Sequence, residues 1–224
     1  VLTAPAPSIG GEIVLDVLDG LASLDPWSLQ GEAEVVGRAY TRAWAGRPTG
    51  TTHISVVDGE GRAAALSSTL GSGSGVFRGG AQLNNMLGEL DVIGRGPRAA
   101  GDRLPSMMAP TLVLDARRPR LVLGSAGSVR LAGAIAQVAW RVLLDTPVGP
   151  AIDAPRIHVE GTTLHLEGGW PEDAVGALSD EWEVVRWGAL NLYFGGVQAV
   201  ERTVAGALEA AGDPRRGGAG LVVT

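Results

Sequence analysis

One segment, GTTHISVVD at positions 50–58, constrains the fold of this chain more than any other. Its alternation of apolar and polar residues predicts a half-buried β-strand. The segment opens with a Gly50–Thr51 bond. Cleavage there would leave Thr51 with a hydroxyl nucleophile beside a free α-amino base, whose reference pKa of roughly 7.7–8.0 suits work near neutral pH. Thr-Thr before β-branched residues is also typical of an ordinary strand, so the segment indicates a catalytic amino terminus only if other features agree.

Composition limits the fold and the partners. With 224 residues the chain is one large domain, or part of one, and can bury a substantial core. A net charge of −6 argues against nucleic acid as a partner. The absence of cysteine excludes disulfides and thiol chemistry but leaves the compartment open. No apolar run reaches the roughly 18 residues of a membrane-spanning helix, so we expect no membrane span. Because the chain starts at Val1 without methionine or signal peptide, we interpret it as a fragment or a processed piece, and its localisation stays unknown.

Residues 1–50 differ from the rest of the chain in the spacing of their apolar residues. Apolar residues recur at helical spacing after Ser8, which suits an N-cap, and again from about Leu29 to Trp44. The glycines and the proline of residues 46–50 then end the helix and form an exposed connector on which a cleavage site is expected. We therefore divide the chain into residues 1–50, with helices and the cleavage linker, and residues 51–224, the catalytic region.

From position 51 onward the pattern is mostly that of β-strands. The expected strands lie at 51–57 with 63–70, 111–115 with 121–124, 156–160, 163–167, 183–187 and 192–200, whereas 203–209 fit either a strand or a helix. The arginine cluster RRPR at 117–120 is interpreted as a solvated hairpin turn. Residues 129–144 carry the strongest helical stripe in the chain. This mixture indicates two sheets with helices outside them.

Several short motifs follow one another in the order found in the γ-glutamyltransferase family. The matching segments are 4–11 (APAPSIGG), 51–58 (TTHISVVD), 83–85 (LNN), 105–111 (PSMMAPT), 124–128 (GSAGS), 154–158 (APRIH) and 212–219 (GDPRRGGA). The first resembles the end of that family's large subunit, and the second resembles the start of its small subunit. Each match is modest, but their number and order make the resemblance specific.

The resemblance implies a fold and a reaction. The implied fold is α+β, a four-layer α-β-β-α sandwich of the N-terminal nucleophile hydrolase type. The implied reaction is cleavage of γ-glutamyl amides such as glutathione: the acyl group passes to Thr51 and then to water or an amine, after autocatalytic cleavage between Gly50 and Thr51. The family needs no metal or other cofactor. The implied partners are a small acyl amide substrate and the large-subunit region upstream of Val1.

Three further positions match catalytic residues of the family. Thr69 matches the threonine whose hydroxyl bonds to the nucleophile, and Gly127 and Ser128 match the residues whose backbone N–H groups form the oxyanion hole. A turn of small residues that enters a helix suits this role, because negative charge is favoured there. Such a turn is also common as a simple connection between a strand and a helix.

The substrate pocket departs from the family pattern. Gly71 stands where asparagine is common, and Met86 stands where the family has a polar or acidic residue. Glu89 replaces the aspartate that holds the α-ammonium of the substrate and is one methylene longer. The paired serines that hold the α-carboxylate become Ser106 and Met107, and a thioether offers no donor. A related acylase with altered acyl specificity is therefore one alternative, and an uncleaved, non-catalytic relative is another.

The remaining polar groups give weaker signals. His53, His158 and His165 are the only histidines, and without cysteine they make a poor metal set. His53 lies two residues from Thr51 and is the rival candidate for the base. The segment DPRR at 213–216 is expected to anchor the carboxyl-terminal tail through ion pairs.

Overall fold

The described part of the chain contains both helices and strands. The computed structural model describes residues 1–6, 8–24, 28–41, 51–71, 73–89, 96–176, 178 and 181–223, so Gly50 and the predicted cleavage bond lie outside it. The helices in these ranges are α1 (Ile9–Leu21), α2 (Leu29–Thr41), α3 (Leu131–Leu143), α4 (Val148–Asp153) and α5 (Glu172–Gly176). The strands are β1 (Thr51–Val57), β2 (Ala63–Thr69), β3 (Phe77–Arg78), β4 (Ala81–Gln82), β5 (Thr111–Asp115), β6 (Arg118–Ala126), β7 (Ile157–Glu160), β8 (Thr163–Leu166), β9 (Glu183–Arg186), β10 (Gly196–Arg202) and β11 (Leu208–Gly212). The predicted α+β class is confirmed.

An antiparallel four-stranded sheet with the order β11-β10-β6-β5 forms the centre of the molecule. On one face, α3 and α4 pack against the sheet and α1 packs against α3, with Leu121, Leu123 and Val197 in the shared core. The β1–β2 hairpin covers the other face, where Gly124 of β6 meets the ring of His53. The described residues thus supply a helical layer and two β layers.

The predicted hairpin from 51 to 70 is confirmed, and its register determines which residues meet. β1 and β2 pair antiparallel, with Thr51 opposite Thr69. His53 and Ser55 of β1 face the central sheet, whereas Ile54 and Val56 on the outer face are 55% and 50% exposed. A fourth, helical layer over this apolar outer face remains a prediction.

The two predicted amino-terminal helices are present. The Ser8 hydroxyl accepts a hydrogen bond from the backbone N–H of Gly11 at 3.3 Å and caps α1. Helix α2 packs on α1 and on a separate three-stranded sheet with the order β7-β8-β9. The predicted end of α2 at Trp44 falls outside the described residues. Within the described ranges, no helix has the length and apolar character needed to cross a membrane.

One predicted strand begins later than its sequence suggests. The stretch 192–200 was expected to be strand throughout, but Leu192–Phe194 form a 3₁₀ turn and β10 starts at Gly196. The cause is local, because the side chain of Asn191 accepts a hydrogen bond from the N–H of Tyr193 at 2.9 Å and caps the turn. The stretch 203–209, for which the sequence allowed a strand or a helix, is a turn over residues 203–207 followed by the start of β11 at Leu208.

The arginine cluster is only in part a solvated turn. The turn itself is Ala116-Arg117, where φ is 45° and 70°, as a two-residue hairpin turn requires. Arg120 belongs to β6 and donates to the carbonyl oxygen of Val142 at 2.9 Å and to Asp145 at 2.7 Å. The interpretation of the whole cluster as a solvated turn is therefore wrong.

Candidate active site

Two threonine hydroxyls meet at the open end of the β1–β2 hairpin. Thr51 Oγ1 donates to Thr69 Oγ1 at 3.3 Å, and the backbone N–H of Gly71 donates to the same Thr69 oxygen at 3.1 Å. Thr69 is therefore held from its own loop while it orients the hydroxyl of Thr51. The physical reason for the pairing is the register, which places these two residues opposite each other.

The two hydroxyls line a pocket built from the hairpin, the 3₁₀ turn Met86–Gly88, the segment before β5 and the start of α3. Its described lining consists of Thr51, Thr69, Gly71, Met86, Glu89, Ser106, Met107, Met108, Ser128 and Leu131. Of the site residues predicted from the sequence, only Gly127, which adjoins this lining, and Gly50, which is not described, fall outside the set. Sequence reasoning does not single out Met108 or Leu131. Leu131 is buried and reads in the sequence as an ordinary core position of α3.

A strained turn connects β6 to α3. Gly127 has a φ of 141° and Ser128 has a φ of 58°, and a 3₁₀ turn over Ser128–Arg130 leads into the helix. Left-handed backbone at a serine is uncommon and costs on the order of 1–3 kcal/mol. No side chain fits at position 127, because a Cβ there would lie 2.7 Å from the Cα of Gly195. The turn thus places tightly constrained backbone at the start of α3, where the helix dipole favours negative charge.

Glu89 occupies the space that a side chain at position 71 would need. A Cβ on Gly71 would lie 3.0 Å from Glu89 Oε1 and 2.5 Å from Asn85 Oδ1. The backbone N–H of Asn85 donates to the carbonyl oxygen of Leu70 at 3.1 Å, which ties this segment to the end of β2. The space beside Gly71 is therefore occupied by the side chains of Asn85 and Glu89 together, and the φ of 62° at this position also favours glycine.

Residues at the amino-terminal end of α1 hold the segment that carries Ser106 and Met107. The Ser8 hydroxyl donates to the carbonyl oxygen of Met108 at 2.9 Å, and the N–H of Gly10 donates to the carbonyl oxygen of Ser106 at 3.3 Å. A Cβ on Gly10 would overlap the Met107 carbonyl oxygen, so this approach requires glycine. Sequence reasoning assigns Ser8 and Gly10 no part in the site, and their only signal is the SIGG motif.

His53 lies beneath the hairpin, 5% exposed, and bridges two serines. Ser55 Oγ donates to the carbonyl oxygen of Gln198 at 3.0 Å and therefore accepts from His53 Nε2 at 3.0 Å, while Ser67 Oγ donates to Nδ1 at 2.8 Å. These bonds select one neutral tautomer. Burial lowers the pKa of His53 to about 4, so the ring is already neutral throughout the range in which a base near pH 7 must titrate.

The other two histidines belong to an aromatic cluster at the β7–β9 sheet. The rings of His158 and His165 stack with centroids 6.4 Å apart, and Tyr40 packs edge-on against His158. Burial lowers the pKa of His158 to about 3. Among the residues that the structure describes, no group of three or more His, Cys, Asp or Glu is arranged to hold a metal ion.

Buried ion pairs fix the carboxyl-terminal segment. Asp213 pairs with Arg156 at 2.6 Å and with Arg215 at 3.2 Å, and Arg215 pairs with Glu167 at 2.6 Å; all four side chains are at most 1% exposed. Burial by itself would raise the pKa of Asp213, but Arg156, the backbone N–H of Val197 and Arg215 hold it below the usual value. The predicted ionic anchoring of the tail is confirmed, with Arg156 and Glu167 as its partners.

The fold is shared with a solved hydrolase. The structure of cephalosporin acylase from Bacillus halodurans matches with a TM-score of 0.75 at 18% identity, over 96% of this chain and 49% of that chain. A likeness at this identity concerns the fold alone.

Sequence comparison identifies the family. The sequence profile described as gamma-glutamyltranspeptidase matches residues 21–223. The glutathione hydrolase proenzyme of Escherichia coli is 31% identical over 184 residues, covering 74% of this chain and 31% of that protein, so the chain spans about a third of this relative's length. The gamma-glutamyltranspeptidase from Pseudomonas nitroreducens complexed with L-DON has a TM-score of 0.64 at 29% identity, over 77% of this chain and 100% of that chain. This chain therefore belongs to the γ-glutamyltranspeptidase family, within the N-terminal nucleophile hydrolase superfamily.

Proposed function

We propose that this chain carries the catalytic part of a γ-glutamyltransferase-type enzyme, which cleaves γ-glutamyl amides such as glutathione and passes the acyl group to water or an amine. One observation carries the proposal: the hydroxyls of Thr51 and Thr69 lie 3.3 Å apart in a pocket that Ser128 also lines. Family membership supports the substrate class. Because the chain spans about a third of the Escherichia coli relative, we expect residues outside it to complete the site.

The first proposed step is cleavage of the chain itself. Before cleavage the nitrogen of Thr51 is an amide and cannot act as a base. The Thr51 hydroxyl attacks the carbonyl carbon of Gly50, the acyl group shifts from nitrogen to oxygen, and water hydrolyses the resulting ester. The products are a carboxyl end at Gly50 and a Thr51 with free amino and hydroxyl groups.

The same hydroxyl then serves acyl transfer. The α-amino group of Thr51 takes the hydroxyl proton while Oγ1 bonds to the acyl carbon of the substrate. The amide C–N bond breaks and the leaving amine takes the proton. Water or an acceptor amine then attacks the ester and restores the hydroxyl. In this proposal Thr69 orients Oγ1, and the backbone N–H groups of Gly127 and Ser128 stabilise the oxyanion.

The exposed apolar face of the β1–β2 hairpin is evidence that another region of the protein covers it. Ile54, Val56 and Leu66 lie on adjacent positions of the paired strands and are 55%, 50% and 61% exposed. A sheet face of this kind is normally covered by another layer. We assign that layer to the large-subunit region, of which residues 1–50 are the end, and residues 51–224 to the small subunit.

Amino-terminal sequencing tests the proposal. The protein, expressed with any coding sequence that precedes Val1, is expected to give two bands on a denaturing gel. One of the two bands should begin at Thr51, and the preparation should release p-nitroaniline from γ-glutamyl p-nitroanilide. An intact Gly50–Thr51 bond without hydrolysis would identify an uncleaved, non-catalytic relative instead.

An acylase with altered acyl specificity is the second candidate. Met107 is 9% exposed and lines the pocket together with Met86 and Leu131, so apolar surface lies where the family pattern has polar groups. Such a lining favours acyl groups less polar than glutamyl. A protein that matures at Thr51 and hydrolyses butanoyl p-nitroanilide, which lacks both charges of the glutamyl group, at least as well as γ-glutamyl p-nitroanilide would match this candidate.

The pH dependence distinguishes the α-amino base from His53. The kcat/KM of the mature protein is expected to rise with pH as the α-amino group of Thr51, whose reference pKa is roughly 7.7–8.0, loses its proton. In His53→Gln this limb should persist, because burial lowers the pKa of His53 to about 4 and leaves nothing to titrate near 7. The measurement is a kcat/KM profile from about pH 5 to 10 for both proteins. Loss of the limb in His53→Gln with an intact mature amino terminus would assign the base to His53.

A further inference from the structure

We infer that Tyr40 is a positioning residue for acyl transfer: its hydroxyl caps the first turn of α3 and thereby holds the turn at Gly127 and Ser128 in the geometry that the oxyanion needs. This inference rests on the proposed function, which assigns the oxyanion to the backbone N–H groups of those two residues. What it adds is a contact from the segment that precedes the Gly50–Thr51 bond to the helix that follows the turn.

Helix α3 has no capping side chain of its own. Its N-cap position is Arg130, whose side chain makes no capping hydrogen bond, and a guanidinium group cannot accept one. The first N–H groups of an α-helix have no acceptor within the helix. A short polar side chain at the N-cap position normally accepts from the second or third of them. The start of α3 therefore needs an acceptor from another element.

Tyr40 of α2 supplies that acceptor. The backbone N–H of Gly133, the third residue of α3, donates to Tyr40 Oη at 2.7 Å, and both residues are buried. A Cβ at position 133 would lie only 2.9 Å from Tyr40 Oη, so this close approach requires glycine. The Tyr40 ring packs edge-on against His158 with centroids 4.8 Å apart, which fixes its direction. The hydroxyl thus takes the role of an N-cap side chain.

Contacts away from the turn hold both partners of this bond. Glu32 of α2 pairs with Arg141 of α3 at 3.6 Å, and the two side chains are 13% and 8% exposed. Gln137 Nε2 donates to the carbonyl oxygen of Gly133 at 3.0 Å and to that of Ile157 in β7 at 3.0 Å. The position of Tyr40 relative to α3 is therefore set independently of the oxyanion turn.

The capped turn of α3 is bonded directly to the oxyanion turn. The N–H of Arg130 donates to the carbonyl oxygen of Gly127 at 3.2 Å, and the N–H of Leu131 donates to that of Ser128. Ser128 and Leu131 also line the pocket. A shift of the first turn of α3 is thus passed on to the backbone that faces the substrate.

The strain in this turn explains why a cap matters here. Ser128 has a φ of 58°, and such backbone persists only where the surrounding structure fixes it. Without the Tyr40 hydroxyl, the N–H of Gly133 is free to seek an acceptor earlier in the chain, as in a regular helix. The helix start then extends back into the turn, the strain relaxes and the N–H groups of residues 127 and 128 change direction.

Tyr40→Phe removes the hydroxyl and keeps the ring. In the mature protein, expressed with any coding sequence that precedes Val1, kcat for γ-glutamyl p-nitroanilide is expected to fall about 10- to 100-fold, somewhat less than the loss of a whole oxyanion donor. The KM should stay within about threefold, because the oxyanion exists only in the transition state. An unchanged kcat, or a loss confined to KM, would overturn the inference.

Val36→Ala is the matched control for stability. Val36 lies one turn before Tyr40 on α2 and is fully buried, so its truncation leaves a cavity but keeps the cap. Its kcat should stay within about threefold of that of the unchanged protein. If Val36→Ala lost as much kcat as Tyr40→Phe, the effect of Tyr40 would be one of stability alone and the inference would fail.

Gly133→Ala breaks the same hydrogen bond from the other side. The added Cβ displaces the Tyr40 hydroxyl, so the variant should lose kcat by a factor similar to that of Tyr40→Phe. The double variant should be no slower than the slower single variant, since both changes remove one contact. Losses of kcat that multiply in the double variant would contradict a shared role of the two residues.

Hydrogen exchange followed by mass spectrometry keeps this inference distinct from the proposed function, because it needs no turnover. In Tyr40→Phe the peptide 127–134 should exchange about 5- to 100-fold faster, beyond any change in the central strands, as expected for one lost buried hydrogen bond. Val36→Ala should show no such excess, and if Tyr40→Phe does not mature, Gly133→Ala and the uncleaved proteins serve for the same comparison.

The outcomes separate the two claims. If the unchanged protein hydrolyses no anilide while the exchange pattern holds, the proposed function fails and the cap by Tyr40 stands. If hydrolysis occurs and Tyr40→Phe changes neither kcat nor exchange, the function stands and the inference fails. Absence of both hydrolysis and the exchange difference would overturn both.

Discussion

Thr51→Ala is expected to abolish both maturation and amide hydrolysis, because one hydroxyl performs both steps. Loss of an enzyme nucleophile typically reduces kcat by on the order of 10⁴-fold or more, so activity should fall to the background of the assay. The measurements are a denaturing gel, amino-terminal sequencing and release of p-nitroaniline from γ-glutamyl p-nitroanilide. Thr51→Ser keeps a hydroxyl at the position 3.3 Å from Thr69 Oγ1 and should retain part of both activities.

The neighbouring threonine provides the matched control. Thr52 is exposed and points to the opposite face of β1, so Thr52→Ala should mature and hydrolyse substrate within about threefold of the unchanged protein, as surface substitutions usually do. If Thr51→Ala still yielded two chains, the nucleophile would have to be sought elsewhere. If Thr52→Ala were as inactive as Thr51→Ala, the assignment by register would be wrong.

Asp213→Ala is expected to cost about 3–5 kcal/mol of stability, the range for removing one partner of a buried ion pair. The substitution leaves Arg156, which is at most 1% exposed, without its carboxylate at 2.6 Å, and it removes the acceptor for the N–H of Val197 at 2.9 Å. The tail residue Arg215 loses one of its two carboxylates as well. The free energy of unfolding can be measured by urea titration, with Asp153→Ala at the exposed end of α4 as the control.

The pH dependence of this difference follows from the pKa of Asp213. The pKa of Asp213 in the folded state lies below its unfolded value, so its contribution is present above roughly pH 4 and is lost as the pH falls through the folded-state value. The difference between the unchanged protein and Asp213→Ala should therefore stay constant from about pH 5 to 8 and shrink below about pH 4. A loss of less than about 1 kcal/mol at neutral pH would show that solvent reaches Arg156 when Asp213 is absent.

Sequence patterns predicted those parts of the fold whose causes are local. The strand patterns of 51–57 and 63–70 define the hairpin, and Ser8 followed by an apolar stripe defines α1. The prediction that a strand begins at 192 is wrong for a reason that is also local. The Asn191 side chain caps a turn within a run of otherwise strand-like residues. Periodicity did not show which face of β1 is buried, because that depends on a central sheet formed by residues far along the chain.

The candidate site could be predicted only in part, for a similar reason. Residue chemistry singled out Thr51, and the family resemblance supplied Thr69 and the turn at Gly127 and Ser128. The hairpin register then shows why the two threonines meet. The support of Met107 by Ser8 and Gly10 joins residues nearly 100 positions apart and leaves no periodic trace. The packing of Asn85 and Glu89 against Gly71 likewise depends on the three-dimensional structure, because these residues are 14 and 18 positions apart in the chain.

The hairpin register also affects when the nucleophile becomes ordered. Thr51 is held by its cross-strand partner Thr69 and by packing of β1 on the central sheet, and none of these contacts involves residues that precede Thr51. The conformational entropy of fixing the hydroxyl is therefore spent when the chain folds. Cutting the Gly50–Thr51 bond would then leave these contacts of Thr51 in place, so the appearance of activity should follow the first-order kinetics of the cleavage itself, with no lag for refolding.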